Sequence, residues 1–128
     1  MNPDFHAVAL VINTDGMGDD KNADNNADNA AGDHSLRHRL LTTYLKTLIE
    51  LETPPQSILL YAAGVKIATH ASACRAELTQ LREAGSQIIA CRTCLDFYGL
   101  MDQVPEAEIG NMLRIIEAQS LAAKVITL

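Results

Sequence analysis

The sequence predicts an α/β fold, with helices covering both faces of a mostly parallel sheet of about five strands. Three observations carry this prediction. Short apolar runs recur along the chain, each closed by turn residues. Between them lie longer segments whose apolar residues fall at helical spacing. Aromatic residues make up only 4% of the chain and Trp is absent, so the core must be Leu, Ile, Val and Ala, as in helices packed on a parallel sheet.

The elements follow in order. Ala7–Ile12 is a continuous apolar run ended by Asn13-Thr14-Asp15-Gly16, and reads as the first buried strand. From Asp19 to Asp33 the chain turns to Asp, Asn and Ala, with Asn-Ala-Asp-Asn occurring twice in tandem. Nothing there is apolar and larger than Ala, so residues 19–33 are expected to be a solvated, flexible loop. A helix then starts near Asp33 or Ser35, with Leu36, Leu40, Leu41, Tyr44, Leu45, Leu48 and Ile49 as its apolar stripe, and Thr53-Pro54-Pro55 stops it. Ser57–Ala63 is the second strand, closed by Gly64. A second helix, capped by Ser72, carries Cys74, Leu78 and Leu81 inward and ends at Gly85. Gln87–Ala90 is the third strand, and Cys94–Leu100 forms a short helix. The last helix has Pro105 at its first position and an apolar face of Ile109, Met112, Leu113, Ile116 and Leu121. Lys124–Leu128 is the terminal strand. A fifth strand is placed at Val65–Ala68 or near Met101–Val104.

The 128 residues form one domain, 1–128, with 48% hydrophobic and 20% charged residues, ordinary values for a globular core. A net charge of −6 argues against nucleic acid or an anionic membrane as partner. The start Met1-Asn2-Pro3-Asp4 has no basic region, and Ala7–Ile12 is too short for a signal or membrane segment. A cytoplasmic protein is therefore expected, in a compartment where thiols stay reduced.

The chemistry concentrates in Cys91-Arg92-Thr93-Cys94, which follows directly on Ile88-Ile89-Ala90. In a parallel sheet the carboxyl ends of the strands face one crevice. Asn13 to Gly18, Gly64 to Lys66, and Cys91 to Cys94 should therefore line a common site. Asn13, Asp15, Gly16 and Gly64 shape its walls, while Lys66 and Arg92 supply positive charge that favours a thiolate. Helix N–H groups after Cys91 would act in the same sense. The alternative is that both cysteines are small buried hydrophobes. A structural zinc site would need Cys74 and His70 as further ligands, but Cys74 lies on an apolar helix stripe, so no metal is assigned. Thioredoxin-type pairs follow an early strand, unlike this one. The Asp/Asn tract lacks the Gly and Glu of a calcium loop. Gly16-Met17-Gly18 lacks the third glycine of a dinucleotide fingerprint and the Lys of a P-loop, and Asp15, Asp19 and Asp20 would repel phosphate. No cofactor is implied.

The segment from Ile88 through Cys91-Arg92-Thr93-Cys94 to Leu95-Asp96-Phe97-Tyr98-Gly99-Leu100 resembles the DsrE-like (DsrE/DsrF/TusD) sulfur-relay family, most closely its YedF-type branch. Asp15-Gly16-Met17-Gly18, Tyr61-Ala62-Ala63-Gly64-Val65-Lys66 and the ending Ala123–Leu128 match the same branch. The resemblance implies a three-layer α/β/α fold with a five-stranded parallel sheet, assembled as trimers or hexamers. It also implies a persulfide on the cysteine that matches Cys91, with Cys94 matching the second thiol. YedF-type proteins commonly carry an N-terminal TusA-like carrier domain. Here such a carrier would come from another polypeptide. The function expected is thus a cytosolic sulfur-relay protein that holds sulfane sulfur on Cys91, with Cys94 as resolving thiol. Competing readings are a non-catalytic oligomeric subunit, a redox or metal-binding module, and a thiol–disulfide reductase.

Overall fold

A computed structural model describes residues 3–18 and 27–128. Strand β1 (Val8–Ile12) is followed by helix α1 (Ala27–Glu50) and strand β2 (Ser57–Leu60). A 3-10 segment over Ala62–Ala68 leads to α2 (Arg75–Glu83), β3 (Gln87–Cys91) and α3 (Arg92–Tyr98). A single 3-10 turn at Glu106–Glu108 precedes β4 (Ile109–Gly110), α4 (Met112–Leu121) and β5 (Lys124–Thr127). The sheet order is β4-β3-β2-β1-β5, and every neighbouring pair is parallel. The expected three-layer α/β/α architecture with five parallel strands is the one that forms.

The topology follows from the chain order. Steps from β1 to β4 each move one strand in the same direction, whereas the step from β4 to β5 returns past three strands. Because parallel crossovers are right-handed, the outward steps put α1 and α2 on one face and the return puts α4 on the other. α1 and α2 accordingly pack together. All residues of β1 and β2 are buried, which explains their unbroken apolar runs: a strand covered on both faces has no side for polar residues. Edge strand β5 is largely exposed.

Four differences from the expected elements have physical causes. α1 begins at Ala27, so 27–33 are helical instead of loop, while 19–26 lie outside the described residues. The fifth strand is neither Val65–Ala68, which is 3-10, nor Met101–Val104, but Ile109–Gly110, paired with Ala90 and Cys91. That pairing removes Ile109 from the last helix. Pro105 opens only the 3-10 turn, and α4 is capped by Asn111, whose Oδ1 accepts the Arg114 N–H at 3.0 Å. Its buried residues are Ile115 and Ala118, and Met112, Leu113, Ile116 and Leu121 face outward. Finally, Ser72 caps the turn before α2, accepting the Cys74 N–H at 3.0 Å, and Cys74 itself stands at the helix N-cap.

β4 is held in place by a charge buried for it. Glu108 is fully buried and accepts both Arg75 terminal nitrogens, at 2.9 and 2.7 Å, and Arg82 Nη1 at 2.7 Å. Arg75 also donates to the Ala68 carbonyl at 2.8 Å, so one guanidinium ties α2 to the 3-10 segment and to the approach to β4. Breaking a buried pair strands the partner charge, at a cost of about 3–5 kcal/mol. Among the described residues no helix is long and apolar enough to cross a membrane.

Glu108→Ala is expected to lose about 3–5 kcal/mol in urea unfolding. Arg82→Ala, whose side chain is 41% exposed, should lose no more than about 1 kcal/mol. Equal losses in the two variants would contradict this account of the network.

Candidate functional site

The parallel register sets the carboxyl ends of β1, β2 and β3 side by side at one edge of the sheet. Cys91 is the last residue of β3 and the N-cap of α3, and it is only 1% exposed. Its side chain makes no capping hydrogen bond to the helix, so the expected stabilisation by N–H groups of α3 does not operate through such a bond. Cys94, one turn on, is partly exposed, and both thiols are free. Cys91 ends β3 and Cys94 lies in the first turn of α3, so the Cys91 thiol acts electrostatically on Cys94.

A third partner comes from the segment after β2. The Ala62 N–H donates to Cys94 Sγ at 3.2 Å. Ala62 has φ of +51°, a left-handed conformation that costs an L-residue about 1–2 kcal/mol. Burial pushes the Cys94 thiol up from its ordinary value. The Ala62 N–H opposes that shift by favouring the thiolate, and the neighbouring Cys91 sulfur adds to it.

The remaining predicted residues divide into three groups. Asp15 and Lys66 line a cavity of about 370 Å³ with His38, Ile67, Thr69 and Ser72. His38 Nε2 lies 3.0 Å from Asp15 Oδ1, so the ring N–H donates to the carboxylate. Lys66 also reaches the cysteine helix, its Nζ standing 4.7 Å from the centroid of the Tyr98 ring. That ammonium therefore meets an aromatic face on α3, and the charge effect on Cys94 comes from Cys91. Gly16, Gly64 and Asn13 work through backbone packing. A β-carbon on Gly16 would come within 2.8 Å of Arg37 Cβ, and one on Gly64 would overlap the Ile12 carbonyl and lie 3.1 Å from Asn13 Cα. Arg92 is exposed at the start of α3.

Three participants escaped the sequence analysis. His38 shows no ligand spacing in the sequence, yet it is partly buried against Asp15. No spacing signal reveals this, because Asp15 lies 23 residues away. Ala62 carried no signal at all, since alanine seldom adopts a positive φ. Glu108 has no charged partner near it in sequence, since Arg82 and Arg75 lie 26 and 33 residues away. Cys74, by contrast, is fully buried as expected, with its sulfur 3.2 Å from Thr42 Oγ1, and burial pushes its thiol up. Among the described residues no three His, Cys, Asp or Glu side chains converge closely enough to hold a metal ion.

A parallel five-stranded sheet with a cysteine pair at its carboxyl edge defines a class of small α/β proteins. The chain belongs to the DsrE/DsrF-like family, which it matches over residues 7–128. Among solved structures it is similar to the YchN protein of Escherichia coli, with 17% identity, a TM-score of 0.61, and 96% of this chain and 99% of that one covered. A protein of unknown function from Methanobacterium thermoautotrophicum, MTH1491, matches with 17% identity and a TM-score of 0.60, over 94% and 97% of the two chains. The conserved protein BT1422 of Bacteroides thetaiotaomicron matches with 17% identity and a TM-score of 0.58, over 95% of each chain. At such identities the likeness establishes the fold. No curated protein matches the chain.

Iodoacetamide should modify Cys94 at least about tenfold faster than Cys91, whose sulfur is reached only by local opening. The Cys94 rate should rise with pH, because the thiolate is the nucleophile. Its inflection should lie above that of an unstructured cysteine, since burial disfavours the charged form. An inflection below the ordinary thiol range would refute the assigned environment.

Proposed function

We infer that this protein is a sulfur-relay protein of the cytosol, carrying sulfane sulfur on the Cys91–Cys94 pair. The observation that carries this reading is the placement of two free thiols, at the end of β3 and in the first turn of α3, at the carboxyl edge of a parallel sheet. Membership of the DsrE/DsrF-like family supports it, and the segment from Cys91 to Leu100 resembles the YedF-type branch. Sulfur resides on Cys91 as Cys91–S–SH. The Cys94 thiolate then attacks the inner sulfur, forming the Cys91–Cys94 disulfide and releasing HS⁻, or the outer sulfur passes to an acceptor thiol. A TusA-like carrier is the donor or acceptor the resemblance suggests. Self-association as a trimer or hexamer is supported by the outward-facing Phe97 of α3 and Met112, Leu113, Ile116 and Leu121 of α4.

Arg92 makes the test convenient, because tryptic cleavage after Arg82 and Arg92 puts Cys91 and Cys94 on separate peptides. After incubation with a persulfide donor and trapping by alkylation, the wild-type protein should gain about 32 Da on the peptide ending at Arg92. Loading undiminished in the double variant Cys91→Ser/Cys94→Ser would sink the proposal. Sedimentation should give a mass several times that of one 13.9 kDa chain. A strictly monomeric mass would remove the oligomer from it.

A further inference from the structure

The two thiols are unequal in a way that bears on the order of events. Cys91 is 1% exposed and sits at the end of a strand with β2 on one side and β4 on the other. Cys94 is partly exposed on α3, beside Phe97, which is 81% exposed. A macromolecular donor that presents a persulfide can bring its outer sulfur to Cys94 without disturbing the sheet, whereas reaching Cys91 first would require α3 to open.

Cys94 is also the thiol on which the structure spends a backbone donor. The Ala62 N–H, in left-handed backbone, points at Cys94 Sγ at 3.2 Å. The segment that presents it is fixed at both ends. Gly64 passes directly over the Ile12 carbonyl, where a β-carbon would not fit, and Lys66 lies against the Tyr98 ring of the cysteine helix. A donor held this rigidly supports negative charge on the sulfur it faces. Among the described residues only Glu52 shares a positive φ without being glycine, and Glu52 lies in the turn after α1.

We propose that Cys94 is the entry thiol of the relay, that Ala62 positions its sulfur and stabilises it as the attacking anion, and that Cys91 is the sheltered second station. This rests on the sulfur-relay reading above. In the first step the Cys94 thiolate attacks the outer sulfur of a donor persulfide, R–S–S⁻. The donor S–S bond breaks, R–S⁻ leaves, and Cys94–S–S⁻ forms. In the second, the Cys91 thiolate attacks that outer sulfur, giving Cys91–S–S⁻ and regenerating the Cys94 thiolate. Neither step consumes an oxidant or reductant. Burial of Cys91 then keeps the stored persulfide from stray thiols and water.

Rapid-quench loading with a protein persulfide, read on the two tryptic peptides, tests the order. In the wild type the mass gain should appear first on the peptide beginning at Thr93 and only afterwards on the peptide ending at Arg92. Cys94→Ser should slow loading of Cys91 at least tenfold. Cys91→Ser should load at Cys94 and pass nothing on. Equal loading rates of Cys91 in wild type and Cys94→Ser would overturn this inference while leaving the sulfur-relay reading intact. Absence of loading in the wild type would overturn both. For Ala62 the readout is the pH inflection of Cys94 alkylation, which a merely structural role would not move. Ala62→Pro, which lacks the N–H, should raise it, and Ala62→Gly, which keeps the donor and accepts positive φ, should hold it in place. If the proline variant does not fold, Ala62→Val serves instead, since a branched side chain disfavours the left-handed backbone. An inflection unmoved in a folded Pro or Val variant would remove the positioning role.

Discussion

The Ile12 carbonyl at the end of β1 accepts the Tyr61 N–H at 3.2 Å, and three residues further on the chain passes so close that Gly64 can bear no side chain. That contact determines where the segment after β2 can run. It has to cross the end of β1 before reaching α2, and in crossing it presents Ala62 to Cys94 and Lys66 to Tyr98. A residue other than glycine at 64 would lift the segment off the sheet edge. The cysteine pair would then lose the Ala62 backbone donor and part of what excludes water from it.

The electrostatics of the edge are economical. The buried carboxylate of Glu108 is satisfied by two arginines of α2 and secures the short strand β4 beside β3. Cys91 is thereby enclosed by strands on both sides. Lys66 meets the Tyr98 ring and Arg92 is exposed. Thiolate character at Cys94 is governed by burial acting against one N–H. Such a sulfur is a strong nucleophile when deprotonated, since intrinsic nucleophilicity rises with thiol pKa. That suits sulfur transfer between thiols of similar basicity.

Beside the cysteines, the Asp15–His38 pair and Lys66 form the wall of a separate cavity. A single crevice holding Asn13, Asp15, Gly64, Lys66 and the thiols was the natural expectation from parallel strands. The structure instead divides these residues between a sulfur site, a neighbouring cavity and backbone contacts, because the 3-10 segment lies over the strand ends and partitions the edge. Lys66 touches both parts.

Local composition was enough to place four of the five strands and the position of the cysteine pair. An unbroken apolar run such as Val8–Ile12 or Ile88–Ala90 is stable only where both faces are covered, and a thiol that follows such a run must emerge at the sheet edge. Tertiary structure decided what no local pattern encodes. Ile109–Gly110 became a strand because Ala90 and Cys91 offered an unpaired edge, and Glu108 was drawn inside by arginines 26 and 33 residues away. Ala62 took a left-handed turn two residues before the close crossing at Gly64. These outcomes depend on partners distant in sequence, whose free energy of interaction exists only once the chain has folded. For the same reason the sequence located both thiols but left their unequal exposure to the fold.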